Sequence, residues 1–128
     1  MNGIVSEWVE KAESDYHVAE RELRARKNPS YDAACFHAQQ CAEKYLKAFL
    51  SDRNIAFRPI HDLEILLNRI TPVYPDFEFI RDLLLLLNDY AVDFRYPGAT
   101  ATKEDARAAI KAMRSVRDFI RQKLGLPN

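Results

Sequence analysis

The sequence predicts an all-α domain, an up-and-down antiparallel bundle of four long helices and one short one. Three observations point there. Apolar residues recur at three- and four-residue steps through most of the chain, the period of a helix with one buried face. No segment sustains period-two alternation, and no Asn-Gly or Asp-Gly hairpin turn occurs. The only glycines, at 3, 98 and 125, leave long uninterrupted windows, and prolines at 29, 59, 72, 75, 97 and 127 cut them into helical lengths. At 128 residues, 48% of them hydrophobic, residues 1–128 form one domain able to bury its own core.

Each helix is justified by its own residues. The first runs from about Ile4 to Arg26, with Val5, Trp8, Val9, Ala12, Tyr16, Ala19 and Leu23 on its repeat. The break is KNPS, where Ser30 can cap the second helix and Asp32 suits its first turn. That helix reaches about Arg53, and NIAFRPI forms a loop. The short helix HDLEILLNRI covers 61–70 and closes at Thr71 and Pro72. The fourth spans about Asp76 to Phe94, and Arg95-Tyr96-Pro97-Gly98 is a turn. The last begins at Thr102, where TKED resembles a capping box, and runs to Leu124 with Gly125 as its stop. Short connections favour antiparallel neighbours.

Composition limits the function. The 19 basic and 19 acidic side chains cancel, so any nucleic-acid contact must come from a local patch. Cys35 and Cys41, six residues apart on one helix, are too distant for a disulfide. Two thiols without further ligands make no zinc site either. They read as small buried hydrophobes of a reducing cytoplasm, and neither a metal nor a cofactor is expected. The N-terminus lacks the pattern of a signal peptide. The run of five leucines at 83–87 is far too short to cross a membrane, so the protein is expected to be cytoplasmic and soluble.

The second helix sorts its residues by face. Ala34, Ala38, Cys41, Ala42, Tyr45, Leu46 and Phe49 fall on a core stripe. His37, Gln40, Lys44 and Lys47 fall together on another flank, at spacings of three, four and three. Two readings stand: a solvated flank, or a ridge lining a groove. A titratable imidazole, a bidentate amide and an ammonium suit phosphate oxygens and base edges. Gln39 and Glu43 lie on a further flank and suit bonds to a neighbouring helix or a partner subunit.

The turn DFRYPGAT at 93–100 has two readings as well. Pro97 and Gly98 make a sharp, rigid corner that presents Arg95 and Tyr96. A guanidinium and an aromatic face can hold a phosphate and stack a base. Alternatively, Arg95 complements the helix dipole and Tyr96 lies as a lid on the core. On the last helix, Arg107, Lys111, Arg114, Arg117 and Arg121 share a side. Their simplest partners are the acids of the fourth helix, Asp76, Glu78, Asp82, Asp89 and Asp93; a basic stripe for RNA is the other reading.

These residues resemble one family. ACFHAQQCAEKYLKAFL is similar to the signature helix of HEPN domains, the higher-eukaryote and prokaryote nucleotide-binding family. Trp8 with AESDY after it, HDLEILL at 61–67 and the RYP turn at 95–97 follow in the family's order. The resemblance covers nearly the whole chain. It implies a small helical bundle, commonly a symmetric homodimer, with a site near the turn after the fourth helix. It also implies pairing with a minimal nucleotidyltransferase in a cassette like a toxin–antitoxin pair. Arg95 matches the arginine of the family's site motif, and Tyr96 and Pro97 match its RYP variant. The family's ribonuclease branch carries a histidine four to six residues after that arginine. Here the chain reads YPGATATKED, and His17, His37 and His61 all lie upstream.

The leading expectation is a homodimeric module that binds a nucleotide or an RNA end through Arg95, Tyr96, His37, Gln40 and Lys44. No catalytic residue is assigned. A metal-independent ribonuclease toxin using Arg95 is the first alternative, needing His37 or His61 beside that arginine. A non-catalytic dimerisation module is the second. Tyr96 is also a candidate acceptor for nucleotidyl transfer from the partner enzyme, on its proximity to Arg95.

Overall fold

The computed structural model describes every residue, Met1–Asn128, and contains five α-helices and no strand. They are α1 (Gly3–Arg24), α2 (Tyr31–Asp52), α3 (Leu63–Ile70), α4 (Arg81–Asp93) and α5 (Lys103–Lys123). The helix starts carry the caps that their sequences offer. Asn2 accepts the Val5 amide, Ser30 the Ala33 amide, and Asp62 the amides of Glu64 and Ile65. Thr102 and Asp105 cap each other reciprocally at the start of α5, at 3.0 and 2.9 Å. Each cap satisfies amides that have no partner inside the helix.

Three boundaries differ from the sequence reading by two residues or more. The first helix ends at Arg24 rather than at about Arg26. The third helix begins at Leu63 rather than at 61, because Asp62 serves as its cap. The expected helix from 76 to 94 is two pieces. Pro75–Ile80 forms a 3₁₀ segment, and α4 starts only at Arg81. Pro75 fits the first position of either kind of helix, so the sequence does not distinguish them. Packing favours the tighter coil, which buries both Phe77 and Ile80 completely.

The bundle is organised around α2, which packs on α1, α3, α4 and α5. Every member of its expected core stripe is buried. Its first half is lined with Ala34, Cys35, Ala38, Cys41 and Ala42. Small side chains there let α1 approach with its own Ala12 and Ala19. The second half widens into an aromatic cluster, where Phe49 meets Phe77 at 4.4 Å between ring centroids and Phe77 meets Phe119 at 5.0 Å. Burying one such ring contributes about 1.5–3 kcal/mol. No helix is long and apolar enough to cross a membrane.

The charges of α5 pair in another direction than expected. Arg114 donates to both oxygens of Glu20, and Arg117 to both oxygens of Glu13. Both acids belong to α1, not to the segment at 76–94. Arg121 lies 3.7 Å from Glu13 and donates to the Tyr45 hydroxyl, which itself donates to Glu13. Of the acids of the 76–94 segment, Asp76 alone pairs with α5, where it takes Lys123. Glu78 closes back on Arg81. The basic stripe is thus largely an internal seam between the first and last helices.

Candidate functional site

The site is built where α2 begins and α4 ends. The last turn of α4 supplies Tyr90 and Ala91, followed by Phe94 and Arg95. The first two turns of α2 supply Asp32, Ala33, Phe36 and His37. Together these residues line one open groove of about 260 Å³. Three local features hold its walls in place. Gly98 turns the chain at φ +111°, a conformation that a side chain rarely adopts. Asp32 then accepts the buried Ala101 amide at 2.7 Å, which fastens the returning loop to the start of α2. Tyr90 and Phe94, one turn apart, lie 5.6 Å from each other.

Arg95 forms the outer lip. Its guanidinium takes part in no ion pair and sits 6.0 Å from the Phe36 ring. Arg53, Arg69, Arg81, Arg114, Arg117 and Arg121 are all committed to internal partners. Arg95 also borders a second depression of about 370 Å³ on the other side, lined in part by Gln39, His61, Asn88 and Asp89. One unpaired cation therefore stands between an aromatic-walled groove and a more polar hollow, with an imidazole in each.

His37 is held from behind. Its Nδ1 lies 2.8 Å from Asp15 Oδ1, and Lys44 reaches the other oxygen of Asp15 at 2.5 Å. Asp15 is only 7% exposed. A carboxylate offers acceptors alone, so Nδ1 carries the proton and Nε2 is the nitrogen left for the groove. His37 is also set edge-on to Phe36 at 5.3 Å.

The residues read from the sequence divide accordingly. Arg95 and His37 line the same groove. Tyr96 is next to Arg95 but stands outside the lining, 66% exposed. Lys44 is turned to Asp15, behind His37. Gln40 donates to Gln39 at 2.7 Å and belongs to a separate network. There Lys47 pairs with Glu43 at 2.9 Å inside the protein, Glu43 meets His61, and Gln39 donates to the His61 carbonyl. Gln39 and Glu43, expected to bond to a neighbouring helix or a partner subunit, reach His61 in the loop before α3, and Glu43 also takes Lys47 of its own helix. Every buried polar side-chain atom has a partner.

Asp15, Phe36, Tyr90 and Phe94 were missed. Asp15 left a signal: it falls between Ala12 and Ala19 at steps of three and four, an acid inside an apolar stripe. The aromatic residues left none, since rings at helical spacing read as core. Cys35, buried near the groove, is no nucleophile, because burial, with Asp105 and Asp32 nearby, pushes its thiol up to about 12.

Known proteins share this architecture. The family described as "HEPN domain" matches residues 5–123. The crystal structure of an archaeal HEPN homologue aligns with a TM-score of 0.73 at 26% identity, covering 93% of this chain and 96% of that one. That of a protein from Thermus thermophilus aligns with a TM-score of 0.78 at 23% identity, covering 93% and 97%; this second likeness speaks to the fold. A comparison with curated proteins gave no match.

Proposed function

The chain belongs to the HEPN domain family, and from that premise we propose that it binds a nucleotide or an RNA end in the groove between α2 and the turn after α4. One observation carries the reading. Arg95, with no internal partner, shares an aromatic-walled groove with an imidazole whose orientation is fixed from within. In this reading Arg95 takes a phosphate through its planar fork of donors. His37 Nε2 accepts from a ribose hydroxyl or a base edge. Phe36 and Phe94 supply apolar wall, and exposed Tyr96 offers its ring to a base. Lys44 supports His37 through Asp15 rather than meeting the ligand. A homodimer and a minimal nucleotidyltransferase partner, in a pair like toxin and antitoxin, belong to the same proposal and rest on the family resemblance. Calorimetric titration with ATP, uridine monophosphate and a short RNA tests the binding. Heat that disappears in Arg95→Ala is expected, and no heat with a folded sample defeats the reading.

A second reading is favoured by the position of His37. The ribonuclease branch needs a histidine beside its arginine, and His37 of α2 lines the same groove as Arg95, which supports this reading. His37 Nε2 would take the proton of a ribose 2′-hydroxyl as that oxygen attacks phosphorus. Arg95 would hold the charge on the phosphorane oxygens. The 5′-oxygen would leave with a proton from water, giving a 2′,3′-cyclic phosphate and a 5′-hydroxyl end. RNA cleaved by the protein but not by His37→Ala or Arg95→Ala supports this. Intact RNA in all three samples removes it.

A further inference from the structure

The groove at Arg95 is not the largest hollow in the molecule. At the other side of the α2 N-terminus lies a second one of about 770 Å³, where the α1–α2 turn meets the start of α5. Arg24 lines it from the end of α1, Arg26 from the turn, Lys103 and Arg107 from α5, and Tyr31 from α2. No acidic side chain is part of its lining. The acids in reach are engaged elsewhere or only weakly with it. Glu20 is held by Arg114 and meets Arg24 only at 3.8 Å, Glu104 meets Arg107 at 3.9 Å, and Glu22 accepts the Ser30 amide. All four cations are exposed. Pairs this long and exposed contribute little, and Arg26 and Lys103 form no ion pair. In a chain with no net charge, this is a local concentration of positive potential.

The start of α2 contributes to both hollows. Tyr31 lines one and Asp32, its neighbour in sequence, lines the other. The loop that Asp32 fastens at Ala101 leads directly into Lys103. A strand running from Arg95 to the four cations passes the first turn of α2, where the Asp32 carboxylate is occupied by the Ala101 amide.

We propose that this second hollow binds the phosphodiester backbone of a single-stranded nucleic acid, extending the ligand of the Arg95 groove from one nucleotide to a strand. This deepens the function proposed above and rests on it for the direction of the strand. The backbone supplies the repeating negative charge that four cations at one place require. Half-buried Tyr31 is the aromatic side chain of the lining, and cations with an aromatic ring are the combination that single-strand grooves use.

The test compares a fluorescent twelve-residue oligouridylate with uridine monophosphate, each titrated across a series of salt concentrations. The variant is Arg26→Ala combined with Lys103→Ala, two side chains without internal partners, checked for an unchanged melting temperature. The wild type is expected to bind the oligomer more tightly than the mononucleotide. The variant is expected to lose oligomer affinity about 10-fold at low salt, with the salt slope reduced by about 1.4, two cations at about 0.7 each for a single strand. Its affinity for the mononucleotide should not change. Oligomer affinity and slope equal to wild type overturn the inference, as does a wild type that prefers the monomer. The reading of the Arg95 groove fails separately, when uridine monophosphate does not bind or binds equally to Arg95→Ala.

Discussion

Replacing Glu13 by Gln removes one charge from the seam between α1 and α5. Glu13 accepts Arg117 through both oxygens, at 2.8 and 2.7 Å, and the Tyr45 hydroxyl at 2.6 Å. The arginines that face it are 15% and 12% exposed, and the glutamate is 23% exposed. Gln keeps one acceptor, but its amide nitrogen turns two donors toward donors. Hydrogen bonds to charged groups contribute about 1.5–3 kcal/mol each. With one such bond lost outright and another weakened, the expected cost is about 3 kcal/mol. For a chain of this length each kcal/mol lowers the melting temperature by about 3–5 °C, so a fall of about 9–15 °C is expected. The pH dependence follows from the direction of the Glu13 shift. Burial raises its carboxyl, but the bonds from Arg117 and Tyr45 and the charges of Arg117 and Arg121 outweigh that and hold it below 4.5. A depressed carboxyl stabilises fully above its unfolded value and loses that contribution as pH falls through its folded value. The gap between wild type and variant should be full at pH 7 and shrink below pH 4.5. Urea denaturation at pH 7 and pH 3 measures it. A cost under about 1 kcal/mol at pH 7, or a gap that widens in acid, would refute the account of this seam as a partly buried, net-favourable network.

Two further predictions concern the loop that carries Arg95. Asp32→Ala leaves the buried Ala101 amide without its acceptor, at a cost of about 1–3 kcal/mol; amide exchange at Ala101 should accelerate while the core of α2 stays protected. Gly98→Ala places a side chain at φ +111° with no neighbour to meet it, so only backbone strain opposes the change. A loss of about 1–2 kcal/mol in thermal unfolding is expected, and an unchanged melting temperature would contradict the strained corner.

The helical class and the core of α2 were legible because each depends on period and local caps. Ser30, Thr102 and Gly125 punctuate the chain through interactions that reach only a few residues. The pairing of α5 was not legible. Helical period sets the five cations on one side of that helix, but which helix faces them is decided by packing. The sequence offered acids at both 13–20 and 76–93. The candidate site was half legible for the same reason. Arg95 and His37 were readable from residue type and the turn. The separation of Lys44 and Gln40 from them was not. Lys44 is drawn to Asp15, twenty-nine residues away, and Gln40 joins Gln39 and Glu43. Helical spacing made them neighbours on α2, while long-range bonds sent them to different places.

The central claim is that one ligand meets Arg95 and His37 together. Nuclear magnetic resonance on protein with labelled arginine and histidine side chains tests it most directly, with uridine monophosphate as the titrant. The account predicts that the Arg95 Nε signal and the His37 ring signals move along one binding curve with the same midpoint, while the Arg117 signal stays fixed. Shifts at Arg95 without His37, or at neither, would contradict it.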